Sequence, residues 1–163
     1  MSTPYNDFYG RFFKKIEEDK EYFNYYNLTP EESMELAKER AKTYLQESLA
    51  KLTLDSTNDV DFNDYDDTLE TVNLDCTKTE IDIIANLMFE MYLFRDVAKL
   101  NSLSVSFTPT DLRVFSPAED RKSFLSMYND IVAKNINMID AYNSKDRLTG
   151  KRKTVDYTKY YEV

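Results

Sequence analysis

Residues 76–100, CTKTEIDIIANLMFEMYLFRDVAKL, hold the longest apolar run in the chain: eleven of the fourteen residues from Ile81 to Phe94 are apolar. A capping box marks the start. Thr77 can accept from the amide of Glu80, and Glu80 can reach back to the amide of Thr77, so two orphan donors of the first turn are satisfied together. The polar residues inside the run, Asp82, Asn86 and Glu90, recur every fourth position. At about 100° per residue this puts them in one narrow stripe and leaves the rest of the circumference apolar. Such a helix must be covered on most sides, and Ile81, Ile84, Leu87, Met88 and Met91 are its expected core residues. It is not a membrane span, because Asp82, Glu90, Arg95 and Asp96 would all enter the hydrocarbon.

The rest of the composition agrees with one helical domain. The chain has 163 residues, of which 42% are hydrophobic, enough for a sizeable core. Two glycines and four prolines leave few positions for tight turns, which favours long helices over a sandwich or barrel. With a net charge of −9, general nucleic-acid binding is a poor expectation, because phosphate contacts need clustered Lys and Arg. A protein partner is the better one. Cys76 is the single cysteine and histidine is absent, so neither an intramolecular disulfide nor zinc or histidine acid-base chemistry is expected. No apolar segment follows the start, and the expected compartment is the host cytosol.

Before the central helix, Phe8, Phe12, Ile16, Tyr22, Phe23 and Tyr26 approximate helical spacing with a break near Asp19, which predicts a first helix over Pro4 to Asp19. Thr29-Pro30-Glu31-Glu32 restarts the chain with an N-cap, proline at the first helical position and acids in the first turn. The second helix is expected to run to about Lys51, with Met34, Ala37, Ala41, Tyr44, Leu45, Leu49 and Leu52 on one face. Residues 53–76 then carry seven aspartates and one glutamate without a Lys or Arg. A calcium loop starting at Asp59 would put Asp64 at the sixth position, where such loops need glycine, and Glu70 at the twelfth. The segment therefore reads as a solvated acidic connector with a short strand or 3₁₀ turn around Val60 to Phe62.

After the central helix, Leu103, Val105 and Phe107 alternate with Ser102, Ser104 and Ser106, which predicts a short extended segment within Asn101 to Pro117. Ser116-Pro117-Ala118-Glu119 opens a last helix reaching about Tyr142, with Phe124, Met127, Tyr128, Ile131, Ile136, Met138 and Ile139 on its apolar side. The expected fold is thus mainly α, a small helical bundle at residues 1–143 around a central hydrophobic helix. The tail, residues 144–163, reverses the local charge with six Lys or Arg against three acids. It reads as an extended C-terminal arm whose Lys151, Arg152, Lys153, Val155, Tyr157, Tyr160 and Tyr161 contact a neighbour. The β-prone run after Gly150 suits addition to a sheet edge, with Val155 and Tyr157 entering pockets on alternate sides.

No residue set supports catalysis. Paired carboxylates such as Glu17 with Glu21, or Asp82 with Glu90, lack a histidine, a Gly-rich phosphate loop or a G-x-S-x-G elbow beside them. Cys76 near a helix start has no histidine to activate it. No catalytic residue, metal site or cofactor is expected.

The order of elements resembles the head-tail connector (adaptor) proteins of long-tailed bacteriophages. The resemblance is carried by Asp7-Phe8-Tyr9-Gly10-Arg11-Phe12, Arg40-Ala41-Lys42-Thr43-Tyr44-Leu45, the central phrase Thr79-Glu80-Ile81-Asp82-Ile83-Ile84-Ala85-Asn86-Leu87-Met88, the Ser116-Pro117-Ala118 restart and the basic, tyrosine-containing tail. It covers most of the chain. It implies a structural virion protein forming a ring of about twelve copies under the portal. The ring would extend the DNA channel without sequence-specific binding and carry the next neck or tail-completion protein. An acidic channel lining that repels phosphate fits that role. The acidic segment 53–76 is longer and more charged than the plainest members of the family would have. The alternative from another class is a soluble acidic phage regulator, a DNA mimic that offers those carboxylates to a basic nucleic-acid site.

Overall fold

A computed structural model describes residues 2–58, 60–106 and 118–154. The chain is mainly helical: β1 (Thr3–Pro4), α1 (Tyr5–Lys15), α2 (Lys20–Phe23), α3 (Pro30–Asp55), β2 (Tyr65–Asp66), β3 (Thr71–Val72), α4 (Lys78–Ser106) and α5 (Ala118–Asn143). The strands make a small antiparallel sheet in the order β1-β3-β2, with Thr3 and Tyr65 both in register with Val72.

Each helix begins where its local chemistry satisfies free amides. Asp19 breaks the first expected helix by accepting from the amides of Glu21 (3.0 Å) and Tyr22 (3.2 Å), so a separate short α2 starts there. α3 opens with a full capping box, Glu32 N–H to Thr29 Oγ1 at 3.2 Å and Thr29 N–H to Glu32 Oε2 at 2.8 Å. Its core face is Ala37, Ala41, Leu45, Leu49 and Leu52 at the helical repeat, and the helix extends past Lys51 to Asp55. The alanines let α2 lie close, and the Tyr22 hydroxyl donates to the Ala37 carbonyl at 3.1 Å. Tyr22 meets the rings of Phe12, Phe13, Phe23 and Tyr92, with centroids 5.2 to 6.2 Å away.

α4 is the centre of the bundle and packs on α1, α3 and α5. Thr77 and Glu80 form the expected box, with Thr77 N–H to Glu80 Oε2 at 2.7 Å and Glu80 N–H to Thr77 Oγ1 at 3.3 Å. Ile81, Ile84, Leu87 and Met88 are buried, but Met91 is half-buried and stands outside the core. The residues of the polar stripe differ in environment: Asp82 is exposed, Asn86 half-buried and Glu90 only 4% exposed. Glu90 is tolerated because α3 and α5 each send it a donor, Lys51 Nζ at 2.6 Å and Asn135 Nδ2 at 2.8 Å.

Three further expectations are corrected. Residues 101–106 continue α4 instead of beginning an extended segment. An established helix propagates cheaply through serines, which cost far less than a proline in a helix interior. The remainder of that segment, and the Ser116-Pro117 cap, lie outside the described residues. In the acidic region the strands fall at residues 65–66 and 71–72 instead of 60–62, while Phe62 and Val72 are fully buried. On α5, Ile139 and Tyr142 face the core, but Met127 and Ile136 are 43% and 50% exposed.

Candidate interaction surface

The chain does not become an arm where α5 ends. Residues 144–154 fold back as a tight loop, with Asp146 N–H to the Lys151 carbonyl at 2.7 Å, Lys153 N–H to the Ser144 carbonyl at 2.9 Å, and Lys145 bridged to Arg152. The Asp146 carboxylate accepts from the Thr149 hydroxyl (2.6 Å) and amide (2.8 Å), which hold its pKa below the usual carboxylate range. Gly150 closes the turn at φ +66°, a conformation that L side chains rarely adopt. The extended arm expected from residue 144 is thus corrected over its first eleven residues. Short-range hydrogen bonds satisfy the backbone there without a partner.

The loop is anchored by a buried carboxylate. Glu80 is fully buried at the start of α4. Arg147 donates from Nε to Oε1 at 2.5 Å and from Nη2 to Oε2 at 3.0 Å, and the Tyr142 hydroxyl donates to Oε1 at 2.6 Å. Arg147 also reaches the Asp75 carbonyl at 2.6 Å. Burial disfavours charge on Arg147, but the hydrogen bonds and charge of Glu80 outweigh it and raise its pKa. Burial first, then the Glu80 contact, pushes the Tyr142 hydroxyl up as well. At the other side Lys153 Nζ reaches Asn58 Oδ1 at 2.7 Å, and Asn143 joins α5 to the Asp55 carbonyl at 2.9 Å. The loop is therefore fixed to the bundle at both ends.

Its outer surface is basic. Lys145, Lys151, Arg152 and Lys153 are exposed around Leu148, itself 78% exposed, on a chain of net charge −9. The expected contact residues Lys151, Arg152 and Lys153 are thus brought together. Val155, Tyr157, Tyr160 and Tyr161 lie outside the described residues. Leu148 and the Arg147–Glu80 anchor were not singled out by sequence. The signal for the anchor was the capping box itself, since a box glutamate at the foot of a buried helix is placed to take a second cation.

The acidic segment is organised by its own aspartates. Asp61 accepts from the Asn63 amide (2.9 Å), Asp64 from the Asn73 side chain (2.8 Å), and Asp66 from the amides of Thr68 (2.7 Å) and Leu69 (3.1 Å). Such short side chains turn the backbone by bonding to it locally. Asp67 accepts from Tyr5 and Gln46 at 3.1 Å and pairs with Lys42 at 3.0 Å. Among the described residues no three acids or thiols are grouped to hold a metal ion, and no helix is long and apolar enough to cross a membrane. Burial pushes the half-buried Cys76 thiol up to about 11, against the lowering effect of its Thr3 contact. That leaves it protonated at neutral pH and a poor nucleophile.

No family model, curated protein or solved structure matches this chain.

Proposed function

We propose that this chain is a structural protein of the neck of a long-tailed phage, a head-tail connector that forms a ring between the portal and the next neck or tail protein and continues the DNA channel. It acts without catalysis, in the virion, after assembly in the host cytoplasm. One observation supports this reading above the others: an acidic helical body carries a basic, leucine-tipped loop that is held rigidly by the Arg147–Glu80 pair. A fixed protrusion of opposite charge to its own body is a feature for docking on protein, since pre-organisation lowers the entropy lost on binding. The tail beyond residue 154, with Val155, Tyr157, Tyr160 and Tyr161, supplies the remaining contact to the portal or a neighbour.

The alternative, a DNA-mimicking regulator, draws less support. Asp61, Asp64, Asp66 and Asp67 all accept hydrogen bonds from the chain's own hairpin and its surroundings instead of standing free in a phosphate-like row.

Negative-stain imaging of the purified protein with and without portal tests the proposal, with rings on portal expected. A variant ending at Thr154 should unfold as the full chain does, yet fail to join portal-bearing heads. Absence of any portal binding by the full chain would overturn the reading.

A further inference from the structure

A basic surface loop and an acid-lined groove lie toward opposite ends of α3. Its first half, with Glu70 of the hairpin, walls a groove of about 710 Å³. Leu28, 42% exposed, and the half-buried Leu36 form its apolar part, and Glu32, Glu35 and Glu39 line it. Two lysines also border the groove, but Lys42 is drawn off by Asp67 at 3.0 Å, whereas Glu35 and Glu39 have no partner among the described residues. Acid is therefore in excess around an apolar floor.

The basic loop has the converse design. Leu148 stands at its tip, and the side chains of Lys145, Lys151 and Arg152 are exposed and unpaired among the described residues. The nearest acid, Asp146, is engaged by Thr149. From Leu36 to Asp55 the helix rises about 28 Å. The loop lies beyond that far end, tied to Asn58 and, through Asn143, to Asp55. It cannot reach the groove of its own chain.

We propose that the loop of one copy docks in the groove of a second copy, Leu148 covering Leu28 and Leu36 while Lys151 and Arg152 meet Glu35 and Glu39. The inference rests on the ring reading and names the contact that would build it. Because knob and groove are different surfaces at opposite ends, the contact is head-to-tail, and repetition closes into a ring or continues as a string. Charge-assisted pairs around an apolar centre give a contact that weakens as salt rises but keeps its leucine component.

The test uses the full chain in sedimentation velocity at low and moderate salt, with circular dichroism as the control for folding. The wild type should form concentration-dependent oligomers. The loop variant K151E/R152E and the groove variant E35K/E39K should each be monomeric, since each lacks one half of the contact. Mixed in equal amounts they should assemble again, because the basic loop of the groove variant meets the acidic groove of the loop variant and the reversed loop meets the reversed groove. A monomeric wild type, variants that assemble as the wild type does, or a mixture that stays monomeric would overturn the proposal. Binding to portal-bearing heads separates this outcome from the broader one. A monomeric protein that still binds heads retires the self-contact alone, and a self-associating protein that never binds them retires the neck role alone.

Discussion

Replacing Arg147 by alanine should destabilise the whole bundle even though the residue lies past the last helix. Its guanidinium supplies two of the hydrogen bonds to Glu80, at 2.5 and 3.0 Å, and the Glu80 side chain is 0% exposed. Removing one partner of a buried ion pair leaves an uncompensated charge, at a cost of about 3–5 kcal/mol. Thr77 and Tyr142 still donate to the carboxylate at 2.7 and 2.6 Å, so the expected loss is at the lower end, about 3 kcal/mol. For a chain of this length that corresponds to a fall in Tm of roughly 6–12 °C. Glu80→Gln removes the charge while retaining an acceptor for Thr77, and should cost about 2 kcal/mol. Combined as Arg147→Ala with Glu80→Gln, the two changes should be less than additive by at least about 1 kcal/mol, because no charge is then stranded. Urea unfolding followed by far-ultraviolet circular dichroism gives these differences if the slope is unchanged. An Arg147→Ala protein within about 0.5 kcal/mol of wild type, or strict additivity in the double variant, would refute the anchor.

Leu87 is fully buried, so Leu87→Asp should cost several kcal/mol and leave no soluble folded protein; a cooperative unfolding transition in that variant would contradict the core assignment. Burial raises the pKa of Tyr5, Tyr9, Tyr22, Tyr92 and Tyr142 above the ordinary value of 10.0. Groups that bind a proton more tightly when folded stabilise fully below their unfolded pKa and lose that contribution as pH rises beyond it, so urea midpoints should be level from pH 7 to 9 and fall above about pH 10. A midpoint that does not move up to pH 11 would contradict this. Calorimetric titration with calcium at physiological salt should give no saturable site, because the aspartates of the hairpin serve its own turns; a micromolar site would show otherwise.

The helices were legible in the sequence because their signals are local. Thr29-Pro30-Glu31-Glu32 and Thr77 with Glu80 fixed two starts, and the four-residue spacing from Ala37 to Leu45 fixed a buried face. What local pattern could not carry was the partner of each polar group. Asp82 and Glu90 look alike in sequence, yet only Glu90 turns inward, because Lys51 and Asn135 happen to meet it from two other helices. The same limit applies to Arg147, one charge of a basic tail in the sequence, whose partner Glu80 lies 67 residues away. Period-two alternation at residues 102–106 misled for the opposite reason, since a helix already in progress overrides a weak local preference. Of the expected contact surface, the basic cluster was legible from charge alone. The folded loop that displays it was not, as it depends on the Asp146-Thr149 turn.

The pairing of α4 with α5 also bears on how the chain matures on the ribosome. α4 runs antiparallel to α5, with Glu80 against Tyr142, Glu90 against Asn135 and Phe94 against Tyr128. One flank of the most apolar helix thus waits for residues some fifty positions downstream, whereas the α1 and α3 contacts are already made. At typical synthesis rates of about 5–20 residues per second, that flank stays open for several seconds in every nascent chain. During that interval Ile83 and Phe94, which α5 will meet with Tyr142 and Tyr128, are available to chaperones or to other unfinished chains. Closure comes with Arg147, 67 residues after Glu80, so the anchor can form only once the whole of α5 has been made.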